Sequence, residues 1–325
     1  MEVLRSTLSY WGWCHVSLDP SILPCTFKKS DFVKLFENSE LEALRNHGNV
    51  IYRGRSAESG SSAVEQAEPK QSLEVQRCRR ASGDDSSTPL HKCMNAMHSI
   101  AVTVTKLLSL PDNALLQERP CSNDGGCCEN GKCNIDLMRI FLYDPVHPAI
   151  GSSAHTDWGS WTVVWQDDAG GLQTYCPAHD RYVDVVKPQP SKQSHDDVVN
   201  FVVHVGDVTS LAMGHASPKG TAVAFPSPKH RVVCPLDEPR VSLVYFAYPP
   251  PFKSLAEIEE ALENHVVLVD SKVCYDSYSL LQNQTTGGES GNPESVYRRI
   301  RTLRVSEVFR AKWEQVQRGS YEIEG

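Results

Sequence analysis

Hydrophobic and polar residues alternate through the middle of the chain, in short runs dominated by β-branched and aromatic residues. A period of two predicts half-buried strands, and the Gly, Pro and Asp residues between the runs predict turns. The predicted strands are residues 137–143, 160–165, 172–175, 182–186, 201–211, 222–225, 230–234 and 241–248. Since no helical pattern of ten to fifteen residues separates them, we expect an antiparallel sandwich or barrel rather than a doubly wound sheet.

Apolar residues at helical spacing lie on both sides of the strand region. The second predicted helix opens on Thr88 and Pro89, a cap followed by proline in the first turn. Its apolar stripe of Met94, Met97, Ala101, Val104 and Leu108 is typical of a core-facing helix. The predicted helices are residues 30–46 with Ser30 as cap, 88–108, 255–264 and 306–318 with Ser306 as cap.

Two N-terminal segments have no helical pattern. Residues 8–19 alternate and are rich in aromatic residues, which predicts an early strand. Residues 51–87 are polar without a sustained period, which predicts a long loop with short structure near residues 73–75. Without a repeat or a linker, we expect one domain over residues 1–325. Its parts would be an N-terminal strand and helices (1–118), a β core (136–250) and a C-terminal helical tail (251–325).

Charge and composition narrow the class of protein. The net charge is -8 and the basic residues are dispersed, apart from a short run at 298–304, so no basic face for nucleic acid is visible. No apolar run reaches the length of a membrane span, and residues 1–16 lack the apolar segment of a secretory signal. We therefore expect a cytoplasmic protein with a small-molecule partner, and neither a nucleic-acid nor a membrane partner.

The chain has eleven cysteines, an odd number in a chain too long to need disulfide staples. We expect them to be mostly reduced. Four lie in a Gly-rich loop at residues 121–133, but their spacing matches zinc knuckles poorly. A redox-sensitive loop and a metal or disulfide site both remain open for that segment, with the first favoured.

The most informative stretch is residues 151–168, with the sequence GSSAHTDWGSWTVVWQDD. His155 and Asp157 are two apart, and in an extended strand such residues face the same side. An imidazole and a carboxylate provide two thirds of a metal site. His230, at the start of a predicted strand, can supply the third ligand. Two His and one carboxylate form the facial triad typical of non-haem Fe(II), which leaves three coordination positions open.

Arg240 and Ser242 follow as an i, i+2 pair on the next strand. The order H-x-D, then a distant His followed by Arg-Val, then R-x-S, resembles the pattern of Fe(II)- and 2-oxoglutarate-dependent dioxygenases. The resemblance is to the branch of isopenicillin N synthase and the plant flavonoid and gibberellin oxygenases. Four further segments agree with that branch: the WGWCHV at 11–16, the GGLQ at 170–173, the VGD at 205–207 and the RVSLVYF at 240–246.

This resemblance implies a mainly β fold, a double-stranded β-helix (jelly roll) core with flanking α-helices. It also implies Fe(II), 2-oxoglutarate and O2 as cofactor and cosubstrates. His155, Asp157 and His230 would be both metal ligands and catalytic residues. Arg240, Ser242 and Tyr143 would bind the distal carboxylate of 2-oxoglutarate, because a guanidinium can grip a carboxylate with two hydrogen bonds. Phe141 stands where many plant members have Asn, so one polar contact of that pattern is missing.

Other residues near these motifs are candidates for the substrate pocket or for the core. Trp158, Tyr175 and Phe225 are candidates to line the substrate pocket, and Tyr275, Tyr278 and Leu281 lie where family members cover its mouth. His204 and His215 are more typical of core or loop residues, although His204 would be the substitute if His230 were not a ligand.

Two features depart from the branch. Residues 188–200 and 213–226 lengthen the spacing between His155 and His230, as a lid or as a surface excursion. The chain also opens almost directly on its Trp-Gly motif, which a shortened protein and an incomplete gene model would explain equally.

The sequence therefore predicts an oxygenase of specialised metabolism. It would oxidise an unactivated C–H bond of a small metabolite by hydroxylation, desaturation or oxidative cyclisation, releasing succinate and CO2. Three alternatives remain: an isopenicillin N synthase-like oxidase that uses no 2-oxoglutarate, a non-catalytic jelly-roll binding protein, and a zinc hydrolase. The last gives Arg240 and Ser242 no role.

Overall fold

Two antiparallel sheets form the centre of the protein. A computed structural model describes residues 2–45, 50–53, 70–76, 88–117, 135–145, 150–188, 198–216, 225–234, 237–263, 278–281 and 292–321. The strands are β1 (Trp13–Leu18), β2 (Val50–Arg53), β3 (Lys70–Gln76), β4 (Leu137–Tyr143), β5 (Ile150–His155), β6 (Trp161–Gln166), β7 (Leu172–Cys176), β8 (Arg181–Asp184), β9 (Val199–Val205), β10 (His230–Val233) and β11 (Arg240–Ala247). The larger sheet has the order β1-β9-β6-β11-β4-β3-β2 and the smaller one β5-β10-β7-β8.

The sheets face each other across a layer of apolar side chains. Along β4, Phe141 and Tyr143 point into this layer, whereas Ile140 and Leu142 pack on the outer face. Residues paired across neighbouring strands share a face, so Arg240, opposite Tyr143, also points between the sheets. The inner face of the larger sheet thus carries the polar side chains that matter for function, and its outer face carries the main hydrophobic core.

Helices cover that outer face. They are α1 (Glu2–Trp11), α2 (Lys29–Val33), α3 (Asn38–Arg45), α4 (Pro89–Leu107), α5 (Asp112–Leu115), α6 (Asp207–Ala216), α7 (Leu255–Leu262), α8 (Pro293–Ile300) and α9 (Val305–Tyr321). Single 3-10 turns occupy Pro20–Ile22, Lys34–Phe36 and Pro177–His179. The prediction for α4 is confirmed: Thr88 accepts a hydrogen bond from the backbone N–H of His91, and its five stripe residues are all buried. None of these helices is long and apolar enough to cross a membrane.

Most predicted strands are present within one or two residues of their expected bounds, but the one predicted at 201–211 is wrong beyond Val205. Strand β9 ends there, and α6 begins at Asp207. Because α6 is buried on several sides, including at Val208, Leu211 and Ala212, no polar face reveals its helical period. A ten-residue helix therefore lies between β9 and β10, against the expectation that none would intervene. Of the strand predicted at 222–225, only Phe225 lies within the described residues.

The N-terminal predictions were partly wrong. Residues 2–11 are helical, and β1 begins only at Trp13. Leu4, Leu8 and Trp11 have helical spacing that the aromatic run obscured. The helix predicted at 30–46 is interrupted at Glu37, whose backbone is extended. Its first part begins at Lys29, so Ser30 lies inside the helix rather than capping it.

The loop predicted at 51–87 contains two strands. Short structure near residues 73–75 is confirmed as β3, which pairs with β4 along its whole length. Strand β2 then pairs with β3 at the edge of the sheet. Residues 54–69 and 77–87 lie outside the described residues. The full length of β3 was not predicted because polar Lys70, Ser72 and Glu74 occupy the inner face, where alternation normally places apolar residues. Strand β2 was missed.

In the tail, the helix predicted at 255–264 is confirmed as α7, with a capping box between Ser254 and Glu257. Helix α8 was missed, although Asn292 caps it and Pro293 opens it. Helix α9 begins at Val305, so Ser306 is inside it and is not its cap.

Candidate metal centre

His155 and His230 meet where the first and second strands of the smaller sheet pair. His155 ends β5 and His230 begins β10, and the two are opposite each other in the ladder, with ring centroids 4.4 Å apart. Nδ1 of His155 lies 2.6 Å from the carbonyl oxygen of Ser153, and Nδ1 of His230 lies 3.0 Å from that of Pro228. A carbonyl only accepts, so Nδ1 carries the proton in both rings and each Nε2 keeps a lone pair for a metal.

The carboxylate of Asp157 completes the group. Strand β5 ends at His155, so Asp157 reaches the site from the following turn and not, as expected, from the same strand face. Its Oδ1 is 3.7 Å from His155 Nε2, and its Oδ2 is 3.6 Å from His230 Nε2. One donor atom of each residue lies within 4.8 Å of the others. Asp157 Oδ2 is buried without a hydrogen-bond partner, as expected of a carboxylate that awaits a cation.

The protonation states suit a divalent cation. Burial, and then the neighbouring charge of His230, lower the pKa of His155 to about 4. Burial alone would raise the pKa of Asp157, but the imidazoles of His230, His204 and His155 outweigh it and hold that pKa below its usual range. At neutral pH the group therefore offers a neutral imidazole at His155 and a carboxylate anion at Asp157, beside the second imidazole of His230. This nitrogen–oxygen donor set fits a first-row metal such as Fe(II).

The turn between the two first ligands is fixed by contacts that the sequence did not reveal. Thr156 Oγ1 donates to Asp207 Oδ2 at 3.0 Å, and the same oxygen accepts the backbone N–H of Leu280 at 2.8 Å. The backbone N–H of Asp207 also donates to the carbonyl of Asp157 at 2.7 Å. Burial raises the pKa of Asp207 to about 7, against the opposing effect of the Leu280 hydrogen bond. The match at 205–207 was the only signal that pointed to Asp207.

Arg240 lies on the inner face of the larger sheet and is almost fully buried. It donates from Nη1 to Ser242 Oγ at 3.1 Å, from Nη2 to Gln166 Oε1 at 3.0 Å and from Nε to the carbonyl of Gly170. Its guanidinium also lies 4.7 Å from the ring centroid of Tyr143. All these partners are neutral. A buried cation without a carboxylate among the described residues is suited to binding an anion.

Of the three predicted substrate residues, only Trp158 is a chain neighbour of a triad residue. Trp158 directly follows Asp157, and its ring is 5.2 Å from that of Trp313 on α9. Tyr175 faces away: its neighbour Thr174 pairs with His230, so Tyr175 takes the opposite face of β7, where its hydroxyl donates to Asp180. Phe225 packs into the core that the helices cover. Phe225 therefore belongs to the apolar core and not to the pocket. Tyr175 points away because neighbouring residues of a strand face opposite sides.

Helix α9 adds two side chains that sequence reasoning missed, Trp313 and Lys312. Lys312 of α9 is buried, with its ammonium 5.6 Å from the ring centroid of Trp158. Burial lowers the pKa of Lys312 to about 8. Tyr278 and Leu281 are buried as well, and the Tyr278 hydroxyl lies 3.0 Å from Ser210 Oγ. Tyr275 lies outside the described residues.

Several other predictions remain as they were. The cysteine loop at 121–133, residues 189–197 and residues 217–224 lie outside the described residues, so the metal and lid hypotheses stay predictions. Within the described residues, Cys14, Cys25, Cys93 and Cys176 form no disulfide.

Comparison with known proteins agrees with this geometry. Residues 134–249 match the family model of the 2OG-Fe(II) oxygenase superfamily. A 2-oxoglutarate-dependent dioxygenase DAO of Oryza sativa subsp. indica is 29% identical over 202 residues, 60% of this chain and 56% of that protein. The chain thus spans little more than half the length of this curated relative.

Two solved structures share the fold. A putative 2OG-Fe(II) oxygenase family protein from Caulobacter crescentus has a TM-score of 0.55 at 14% identity, covering 97% of this chain and 93% of that one. Full-length Neurospora crassa T7H in complex with alpha-KG and thymine has a TM-score of 0.51 at 17% identity, covering 83% and 87%. The predicted jelly roll with flanking helices is therefore confirmed. The similarity to the 2OG-Fe(II) oxygenase superfamily covers residues 134–249, which carry the triad and the buried arginine.

Proposed function

We propose that the protein is a non-haem iron dioxygenase that uses 2-oxoglutarate to oxidise an unactivated C–H bond of a small metabolite. The observation that carries this proposal is the pairing of two features on the inner faces of the sheets. His155, Asp157 and His230 form a metal-binding group with two imidazoles and one carboxylate, and Arg240 is a buried cation with neutral partners. A metal site alone is compatible with many functions. A metal site and an anion site together match a dicarboxylate that chelates the metal.

In this proposal the three side chains would hold Fe(II), and they would leave coordination positions open for the two cosubstrates. Bound iron and 2-oxoglutarate supply the means to activate dioxygen, with release of succinate and CO2. The protein's own contribution is orientation. The hydrogen bonds of Nδ1 to backbone carbonyls fix both imidazole rings, and the turn bonded to Asp207 fixes the carboxylate.

Arg240 would bind the distal carboxylate of 2-oxoglutarate. Its hydrogen bonds to Ser242 and Gln166 hold the planar guanidinium, and the ring of Tyr143 covers one of its faces. A prearranged fork loses little freedom when it binds a carboxylate with two hydrogen bonds. This arrangement would hold 2-oxoglutarate in one orientation.

Trp158 is the best candidate for a substrate contact. It follows Asp157 directly and is part of an aromatic pair with Trp313, with the Lys312 ammonium beside it. Such a surface suits a small, partly apolar molecule. Hydroxylation, desaturation and oxidative cyclisation would all begin from the same substrate radical. They differ only in how that radical is held.

The proposal is tested with the full chain under anaerobic conditions. Fe(II) and 2-oxoglutarate together should give a weak visible charge-transfer band that neither gives alone. Arg240→Ala should lose the band at moderate 2-oxoglutarate concentrations. Arg231→Ala is the matched control, because Arg231 bonds to Gln173 and stacks on Tyr182 away from the site. No band in the wild type would favour a non-catalytic binding protein.

The isopenicillin N synthase-like alternative differs in stoichiometry. In that reading Arg240 and Ser242 hold a carboxylate of the substrate itself. Admitting O2 to the iron-loaded protein and measuring succinate against O2 consumed separates the two. About one succinate per O2 supports the 2-oxoglutarate-dependent reading, and O2 uptake without succinate supports the oxidase.

A further inference from the structure

A third imidazole lies beside the metal-binding group, on the larger sheet. His204 is on β9 and is paired with Trp13 of β1 on one side and with Thr162 of β6 on the other. Only 1% of its surface is exposed, and neither ring nitrogen has a hydrogen-bond partner among the described residues. Burying a polar group without a partner is unfavourable, because its hydrogen bonds to water are lost without replacement. The apolar run around His204 predicted a core residue, but an apolar side chain would fill a purely structural position better.

One ring nitrogen of His204 faces the Asp157 carboxylate. Nδ1 lies 3.8 Å from Asp157 Oδ2, which is itself buried and without a hydrogen-bond partner. The His204 ring is also 4.7 Å from that of His230, measured between centroids. A potential donor and a carboxylate acceptor thus face each other beside the candidate ligands. Their separation is somewhat longer than a hydrogen bond.

His204 does not belong to the ligand set itself. The donors of His155, Asp157 and His230 lie within 4.8 Å of one another, and no ring nitrogen of His204 joins that group. It faces only Oδ2, which its neighbour His230 also approaches. His204 is therefore placed to act on the carboxylate ligand Asp157, and not on the metal itself.

We propose that His204 is a positioning residue that donates a hydrogen bond from Nδ1 to Asp157 Oδ2 when the metal site is occupied. This bond would fix the orientation of the carboxylate, whose oxygens keep further lone pairs for the metal. The inference rests on the proposed metal site and extends it by one residue. Partners of this kind commonly change metal affinity about 10–100-fold when removed.

Three variants of the full chain test the proposal. His204→Phe removes both ring nitrogens at similar size. His204→Asn keeps a donor, because the amide nitrogen of Asn can occupy the place of Nδ1. Thr162→Val is the matched control: Thr162 is the cross-strand neighbour of His204 and its hydroxyl is also buried without a partner. The probe is Co(II) alone, titrated anaerobically against a chelating dye, with the d–d absorption spectrum as a second readout.

We expect the Co(II) dissociation constant of His204→Phe to rise about 10–100-fold, with His204→Asn and Thr162→Val close to the wild type. Unchanged affinity in His204→Phe would overturn the positioning role. Failure of the wild type itself to bind Co(II) would instead contradict the proposed metal site, so the two failures are distinguishable.

A second measurement covers the case in which His204→Phe does not fold. Nitrogen-15 NMR of histidine-labelled, Zn(II)-loaded wild type should show Nδ1 of His204 protonated, with the resonance assigned by its loss in His204→Asn. A deprotonated Nδ1, or three metal-bound imidazoles, would overturn the proposal.

Discussion

Thr156 and Ser279 are joined by two reciprocal hydrogen bonds although 123 residues separate them in the chain. The backbone N–H of Ser279 donates to Thr156 Oγ1 at 2.8 Å, and the backbone N–H of Thr156 donates to Ser279 Oγ at 2.9 Å. Because Thr156 lies between two candidate metal ligands, the C-terminal residues 278–281 brace the metal centre directly. Coordination geometry and the position of this segment should therefore depend on each other.

Ser279→Ala should weaken metal binding although Ser279 is not one of the candidate metal ligands. The change leaves the Thr156 N–H without its acceptor, at a cost of about 1–3 kcal/mol, and loosens the turn that holds Asp157. We expect a lower melting temperature and a raised Co(II) dissociation constant. Thr103→Ala, which removes an exposed hydroxyl on α4, is the control. Metal affinity equal to that of the wild type would show that the brace does not act on the ligands.

Alanine substitutions at the metal ligands and at Arg240 should impair turnover in different ways. His155→Ala and His230→Ala remove a metal donor, so we expect loss of bound iron and of iron-dependent turnover. Arg240→Ala leaves the donors intact and should keep its iron. Truncating one partner of a buried charge pair costs about 2–5 kcal/mol, which corresponds to a steep rise in the KM for 2-oxoglutarate. Bound iron by metal analysis and KM by succinate formation separate the two classes. Equal loss of metal in all three variants would contradict these roles.

The parts of the site that could be predicted from the sequence are those with local spacing. Arg240 and Ser242 share a strand face, so parity alone placed that pair together. His155 and Asp157, two residues apart, do meet, although Asp157 reaches the site from the turn after β5. His230 was identified by its order along the chain within a resemblance. These groups are the ones the structure brings to the inner faces of the sheets.

The residues that support the site could not be predicted, because nothing local marks them. Ser279 meets Thr156 only through the path of the tail, and His204 in an apolar run has the pattern of a core residue. Tyr175 shows the opposite error: an aromatic residue near the motif was assigned to the pocket, although strand parity puts it on the outer face. Which side chains reach the site is therefore decided more by tertiary contacts and strand parity than by residue type, and the sequence shows residue type most directly.

Glu74 should make stability depend on acid pH. It accepts a hydrogen bond from Arg139 at 3.1 Å, and both side chains are buried on the inner face. Burial alone would raise the pKa of Glu74, but Arg139, Gln76 and Arg53 outweigh it and hold that pKa below the ordinary 4.5. A depressed carboxyl pKa stabilises the fold above the ordinary value, and that contribution is lost as pH falls through the native pKa.

We therefore expect Glu74→Gln to be destabilised at neutral pH, because breaking a buried ion pair such as Glu74–Arg139 typically costs about 3–5 kcal/mol. The difference from wild type should shrink below about pH 4.5, where the wild type loses the same contribution. Urea unfolding of the metal-free protein across this range measures it, with exposed Glu40→Gln on α3 as control. A difference that stays constant with pH would mean that the Glu74 charge contributes nothing.

Gly206→Ala should disturb both the fold and the metal centre. A Cβ at this position would lie 2.1 Å from the carbonyl oxygen of Gly159, so the backbones must separate. Overpacking of this kind costs about 1–3 kcal/mol. Gly206 precedes Asp207, whose N–H donates to the Asp157 carbonyl, so the displacement should also weaken Co(II) binding. Gly170→Ala is the contrast: its φ of 70° brings backbone strain, but no atom lies within 4 Å of the added carbon. It should lower the melting temperature without a comparable loss of Co(II) affinity. If both variants lost Co(II) affinity equally, the close contact between residues 159 and 206 would not be what positions Asp157.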